Sequence, residues 1–331
     1  MSEAQVTIVV VQRERFSLTE RSLESIYEYT AIPFKLIYID GNSPGHLRRY
    51  LQEQSEKKGF HLIRKEHFIP TNEGRNLALS LVDTKYVAFV ENDLIVAPGW
   101  LENLIKCAEE TGAWAVGPLY CEGEPVHERI HMAGGEAHVY EKNGKRFFHE
   151  RHRMRGQKVA EIRPQLNRQP IELVEMHCIL MRVDKLKEIG CCDEGIKTAP
   201  SHIDLCLTVH DKGGTVYFEP DAVVTYVTPP PLMLSDIPFF NYRWSDNLNR
   251  ESLEYFRHKW NLADDDPFIN RHYRWMAQHR QIILKPIEAK IKQFFPWGLG
   301  FAKWVYEKIV FPSEVVLNRF FVRGVKKASN N

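Results

Sequence analysis

The first 120 residues alternate between two hydrophobic periods, and that alternation limits the possible folds more than any other feature of the chain. Val6–Val11 is a β-branched run, and Leu18, Ser22, Ile26 and Tyr29 follow it at helical spacing. Phe34–Ile39 reads as a strand and ends in Asp40-Gly41-Asn42-Ser43-Pro44-Gly45. A polar helix over 46–58, a short strand over 60–64 and a helix over 74–82 come next. A strand over 86–90, a helix over 100–111 and a strand over 113–119 complete the series. Strands alternating with helices predict an α/β fold, with a mostly parallel central sheet and helices on both faces. At 331 residues and 44% hydrophobic content, the chain can bury a large core.

Residues 121–170 lose the rhythm and are rich in Gly, His, Arg and Glu, which predicts hairpins and loops over the sheet edge. Pattern returns as a strand over 172–182, a short helix over 184–189, a helix over 201–212, and strands over 215–218 and 222–227. Pro229-Pro230-Pro231 then marks a boundary. The expected domains are a catalytic unit over 1–228 and a mainly helical extension over 229–331. Within the first, residues 1–120 would serve the donor and 121–228 the acceptor.

Several function classes are excluded. The turn after the first strand, Gln12-Arg13-Glu14-Arg15-Phe16, lacks the glycines of a dinucleotide fingerprint, and no P-loop motif occurs. There is no G-x-S-x-G elbow, and no Cys/His set has zinc-ligand spacing. Basic residues are not interleaved with stacking aromatics in the core, so nucleic acid is not an expected partner. The six cysteines form no C-x-x-C pair, the N-terminus has no basic leader, and no stretch of about 18 apolar residues occurs. A cytoplasmic setting is expected.

The informative stretch is "YVAFVENDLIVAPGW", residues 86–100. A buried strand delivers Glu91 and Asp93 to the carboxyl edge of the sheet, where ligands of open α/β sheets bind. Residues two apart on an extended segment point the same way. Two carboxylates there suit Mn²⁺ or Mg²⁺ beside a phosphorylated substrate. Taken alone, the same residues also suit an acidic turn.

The neighbouring segments resemble the family 2 glycosyltransferases, inverting enzymes of the GT-A fold that use nucleoside-diphosphate sugars. "VTIVVVQRERFSLTERSLESI" resembles the opening strand, loop and helix, and "FKLIYIDGNSPG" the second strand with its Asp turn. "TNEGRNLALS" resembles the family's Asn-x-Gly…Arg-Asn helix start, and "YVAFVENDLIVAPGWLENL" the strand with the DxD motif. "CILMRVDKLKEIGCCDEG" and "IDLCLTVHDKGGTVYFEPDAVV" resemble the acceptor-side segment and closing strands. The resemblance covers most of residues 5–227. It implies that Asp40 bonds the base, with Gln12 and Arg15 beside it. It also implies that Asn72, Arg75 and Asn76 lie near the diphosphate, where a helix start favours anions. Asp93 would hold the metal, with Glu91 and Asn92 alongside on the donor and Glu91 reaching the ribose or a metal-bound water.

The sequence departs from the family twice. Where many members read Glu-Asp-x-Asp-Leu, this chain reads Ser201-His202-Ile203-Asp204-Leu205. His202 therefore stands at the general-base position. Asp204 is its rival, and Ser201-x-x-Asp204 also has the spacing of a helix capping box. The closing strand offers Thr225-Tyr226 where a metal-binding His is common. His177 is expected either to contact the acceptor or to sit satisfied in the core.

The implied activity is transfer of a hexosyl unit from a nucleoside-diphosphate sugar, with UDP favoured, to an acceptor hydroxyl by inverting single displacement. The alternatives are a catalytically degenerate sugar-nucleotide-binding scaffold or, less well matched, a sugar-1-phosphate nucleotidyltransferase. The latter class opens with a Gly-rich loop, and no glycine precedes Gly41 here.

Charge is uneven along the chain. From Arg271 onward, twelve Lys/Arg face three acidic residues, whereas residues 1–270 carry 32 basic against 40 acidic. The basic residues are interleaved with Trp297, Phe301, Trp304, Phe311, Phe320 and Phe321, predicting helices on either side of Pro312 with apolar faces. Those faces could pack on the catalytic unit, form a homo-oligomer, or lie in an anionic membrane interface beside a carbohydrate or lipid-linked acceptor.

Overall fold

The computed structural model describes residues 3–229, 231–294 and 299–329. The alternating first third folds as β1 (Val6–Val11), α1 (Thr19–Tyr29), β2 (Lys35–Gly41), α2 (Gly45–Lys58), β3 (His61–Lys65), α3 (Thr71–Leu79), β4 (Tyr86–Glu91), β5 (Leu94–Val96), α4 (Trp100–Thr111) and β6 (Ala115–Glu122). The middle third supplies β7 (Ile130–Met132), β8 (Gly135–Lys142), β9 (Lys145–His152), α5 (Val159–Ile162), β10 (Gln169–Ile171), β11 (Cys178–Arg182), α6 (Val183–Glu188), α7 (Ser201–Asp211) and β12 (Val216–Tyr226). Helices follow: α8 (Ile237–Arg243), α9 (Asp246–Lys259), α10 (Pro267–Arg280), α11 (Lys285–Phe294), α12 (Leu299–Val305) and α13 (Phe311–Ser329).

The main path of the sheet runs β10-β12-β6-β11-β4-β1-β2-β3. Six of these eight strands point the same way, with β11 and β10 antiparallel to their neighbours. β1 and β4 are buried at every position, as continuous apolar strands covered on both faces should be. Val11 pairs with Glu91, so the ends of β1 and β4 open side by side at one sheet edge.

Four expectations need correction. The segment 172–182 is not one strand, because its ladder begins only at Cys178. Ahead of it, the Tyr120 hydroxyl accepts from Glu175 N–H at 3.1 Å and lies 2.9 Å from the Glu175 carbonyl. A side chain thus satisfies the Glu175 backbone, and residues 174–177 are not strand. Conversely, the two expected closing strands are the single strand β12. Its register shifts between Glu219 and Val223, where Pro220 cannot donate to the ladder.

Ser201 does not cap α7, which has no side-chain cap bond, and Asp204 bonds elsewhere. Nor does Pro312 break the tail. Helix runs from α12 through a π turn at Tyr306–Val310 into α13, and the widened turn accommodates a proline that lacks an N–H and crowds the preceding carbonyl.

α13 packs against α8 and α9. Arg280 donates to Glu314 at 2.8 Å, Arg319 pairs with Asp246 at 2.8 Å, and Asn318 donates to the Asn241 carbonyl at 3.0 Å. Val322 faces inward, while Trp304, Leu317, Phe320 and Phe321 are exposed. Trp297 and the Phe301 side chain lie outside the described residues. No helix among those described is long and apolar enough to cross a membrane.

Candidate active site

At the sheet edge, Arg13 organises the acidic strand end. Its guanidinium lies 3.1 Å from Glu14, 3.0 Å from Glu91 and 3.7 Å from Asp93, and stacks 4.2 Å over the Tyr226 ring. Burial disfavours this cation, but the surrounding acids outweigh burial and hold its pKa well above the ordinary value. Glu91 also takes Arg75 at 2.9 Å and His177 at 2.7 Å. Burial would raise its pKa, yet the His177 bond and the two arginines bring it below the usual range.

Asp93 differs. It is fully buried, and neither carboxylate oxygen has a hydrogen-bond partner. Burial pushes its pKa up to about 7. Arg13 opposes that rise, and Glu14 and Glu91 add to it. Asn92 is a clip: its Oδ1 accepts from Arg13 N–H at 3.1 Å, and its Nδ2 donates to the Arg15 carbonyl at 2.8 Å.

The residues expected around the base and diphosphate are engaged within the chain. Asp40 accepts from Gln12 and Ser43 N–H, both at 2.9 Å, from the Ser43 hydroxyl at 3.0 Å, and from Arg64. Arg15 donates to the carbonyls of Val227 and Pro231. Phe16 packs on Phe239 with centroids 5.0 Å apart, and Asp236 accepts from Phe16 and Ser17 N–H at 2.9 Å. α8 and its lead-in therefore sit on the loop after β1. At the start of α3, Asn72 donates to the Asp193 carbonyl at 2.8 Å and Asn76 to that of Cys192 at 2.7 Å. Arg75, fully buried, joins Asn72 to Glu91.

Beside this edge lies a cavity of about 600 Å³, walled by the strand ends, β9, α7 and α10. It brings together Glu91, His177 and His202 from the expected set, with Arg13, Glu150, Glu175 and four further histidines that the sequence had not singled out. Gln12, Arg15, Asp40, Asn72, Arg75, Asn76, Asn92 and Asp93 do not line it. His177 stacks on Tyr226, centroids 4.8 Å apart and 12° from parallel. The His202 Nδ1 faces Glu175 at 3.6 Å, and its buried Nε2 has no hydrogen-bond partner. Burial would lower its pKa, but Glu175 and Glu150 raise it overall.

Asp204 points away from this cavity. It accepts from Lys259 at 2.8 Å and Trp260 at 2.9 Å, anchoring α7 to the end of α9. Thr225, at the position where a histidine is common in the family, bonds His127. The sequence clue to the missed residues was the His- and Glu-rich stretch 121–170, which supplies Glu122, His131, Glu150 and His152 to the cavity wall.

The family model for Glycosyl transferase family 2 matches residues 7–190. The fold is similar to the crystal structure of GalNAc-T7 with UDP, GalNAc and Mn²⁺, at 14% identity and a TM-score of 0.53, covering 88% of this chain and 58% of that one. It is also similar to the mannosyltransferase PcManGT from Pyrobaculum calidifontis in complex with GDP-Man and Mn²⁺, at 13% identity and a TM-score of 0.52, covering 99% and 87%. The chain thus spans little more than half of the GalNAc-T7 chain. No curated protein matches it. With more than half its length matched by the family model and a sheet of this topology, the chain belongs to glycosyl transferase family 2 and has the GT-A fold.

Proposed function

We propose that the protein transfers a hexosyl unit from a nucleoside-diphosphate sugar, UDP-linked by preference, to an acceptor hydroxyl with inversion in a single displacement. One observation carries this reading: a buried carboxylate with two unpartnered oxygens, Asp93, stands at the carboxyl edge of the sheet beside a cavity that holds an unpartnered imidazole nitrogen. Evolution rarely leaves such groups unsatisfied unless a ligand completes them.

Asp93 fits Mn²⁺ or Mg²⁺, because its oxygens are free for a hard cation. Glu91 fits less well as a direct ligand, since Arg75, His177 and Arg13 occupy it, and its part is to fix those groups. When bound, the ion would offset the charge of the departing diphosphate. His202 would take the acceptor hydroxyl's proton at Nε2 as that oxygen attacks the anomeric carbon from behind. His177 would border the acceptor, which is a carbohydrate or a lipid-linked saccharide.

A non-catalytic sugar-nucleotide-binding role is the second reading. It is favoured by the closing strand, where Thr225 bonds His127 at the position that carries a metal-binding histidine in many family members. Release of nucleoside diphosphate from a panel of donor sugars, with and without acceptor saccharides, separates the two. Turnover is expected, and a ligand at about 100 Kd should add about 2.7 kcal/mol of stability. If diphosphates stabilise the protein but no donor turns over, the catalytic reading falls.

The exposed apolar face of α13 would rest on an anionic membrane at the inner face, each nearby basic residue contributing about 1 kcal/mol. Because α10 is wedged into the fold through Met276 and Arg280, truncation is a poor test. The double change Leu317→Glu/Phe320→Glu is better, since both side chains are exposed. It should abolish sedimentation with anionic vesicles and leave donor turnover intact. Failure of the unmodified protein to bind such vesicles at low salt would end this reading. A dimer that the same change splits would instead assign the face to a second subunit.

A further inference from the structure

The cavity holds a group of side chains that donor chemistry does not use. His131 on β7, His152 on β9 and Glu175 ahead of β11 present one ligand atom each, all within 4.8 Å of one another. Glu175 Oε1 is 3.5 Å from His131 Nε2 and 3.5 Å from His152 Nε2. Those spacings are long for hydrogen bonds. They are close to the roughly 3.3–3.4 Å that separates two ligands held about 2.0–2.1 Å from one tetrahedral ion.

A fourth side chain reinforces the pattern. Glu122, at the end of β6, lies 2.8 Å from His131 Nδ1. A carboxylate there accepts a hydrogen bond from Nδ1–H and leaves the Nε2 lone pair on the Glu175 side, as outer partners of metal-bound histidines do. The His131 and His152 rings meet edge to face, centroids 5.2 Å apart at 77°, so their nitrogens converge without stacking. Both histidines and Glu175 line the cavity, which gives an ion and its remaining ligand a route in.

We propose that His131, His152 and Glu175 form a metal centre separate from the acidic strand end, built for a Zn²⁺-class cation, with Glu122 orienting His131. Two imidazoles and one carboxylate favour such an ion over Mg²⁺, and three protein ligands leave a fourth position for water or an acceptor oxygen. Glu150, His152 and His202 form an overlapping group. It is the weaker candidate, because Glu150 and His202 Nε2 stand 3.9 Å apart, and the carboxylate behind His202 Nδ1, Glu175, is 3.6 Å away where Glu122 is 2.8 Å from His131 Nδ1.

Zn²⁺ and Co²⁺ titrations of the metal-stripped full-length protein test the proposal. One equivalent should bind, and bound Co²⁺ should show the visible absorption of a four-coordinate ion. His131→Gln and Glu175→Gln should each weaken binding at least about tenfold, and Glu122→Gln by roughly 10–100-fold. His202→Gln and Asp93→Asn should leave it within about twofold. Loss in His202→Gln with retention in His131→Gln would move the ion to the rival group and overturn the assignment. Loss in Asp93→Asn alone would place it at the end of β4 and overturn the assignment as well. Should a variant fail to fold, anomalous scattering from Zn²⁺-soaked crystals of the unaltered protein decides. An ion about 2.0–2.2 Å from all three ligand atoms supports the centre. No saturable binding, or no ion there, refutes it.

Discussion

Asp93→Asn is expected to lower sugar transfer by at least about 10²-fold while the melting temperature stays level or rises. The two halves of that outcome have one cause. The carboxylate is fully buried, its oxygens meet no donor, and its nearest cation is Arg13 at 3.7 Å. Glu14 and Glu91 share that arginine and have further partners in His279, Arg75 and His177, whereas Asp93, among the described residues, has only the distant Arg13 contact to offset its burial. Removing a buried charge whose oxygens meet no donor relieves the fold. A group kept at such a cost belongs to function rather than packing. The measurements are donor turnover and thermal melting of the same preparation. A variant that transfers normally, or that melts well below the parent, would make Asp93 a structural acid and remove the basis for a metal there.

His202→Ala should reduce kcat by roughly 10²–10⁴-fold, as loss of a general base does, with nucleoside-diphosphate affinity unchanged. Added imidazole should restore part of the rate, because the side chain borders a cavity large enough to admit it. Asp204→Asn supplies the contrast. Its partners are Lys259 and Trp260, which tie α7 to α9, so its main loss should be stability. Charge-assisted bonds of this kind contribute about 1.5–3 kcal/mol. A larger kcat loss for Asp204→Asn than for His202→Ala, at unchanged melting, would transfer the base to Asp204.

Much of the architecture was legible from local pattern. β1 and β4 are continuous apolar runs, and the acidic pair after β4 could stand only at the carboxyl edge. Legibility failed where a distant residue replaced a local rule. Asp204 had the spacing of a cap, but Lys259 and Trp260 take its oxygens. Tyr120 takes both backbone groups of Glu175 in a segment whose composition reads as strand. Pro312 looked like a helix end, and a π turn just before it lets the helix pass. Arg13 was one residue in an unremarked turn, and nothing local says that four side chains converge on it. His131, His152 and Glu175 lie 21 and 23 residues apart, on two strands and on the loop before β11. A search for closely spaced ligand pairs cannot see them.

The bolting of the C-terminal helices onto the loop after β1 bears on how the molecule holds together. Arg15 reaches the carbonyls of Val227 and Pro231, one on each side of the boundary expected at 228. Asp236 caps two amides of the same loop, and His279 on α10 reaches Glu14, the acid next to Arg13. Five successive residues, Gln12 to Phe16, thus answer on one side to the strand ends and on the other to the helices. Loosening the helices would strip partners from the charges at the strand ends, and disturbing those charges would unseat the helices. Sheet and helices are thereby tied through one loop, and the edge where a donor would enter is the hinge pin common to both.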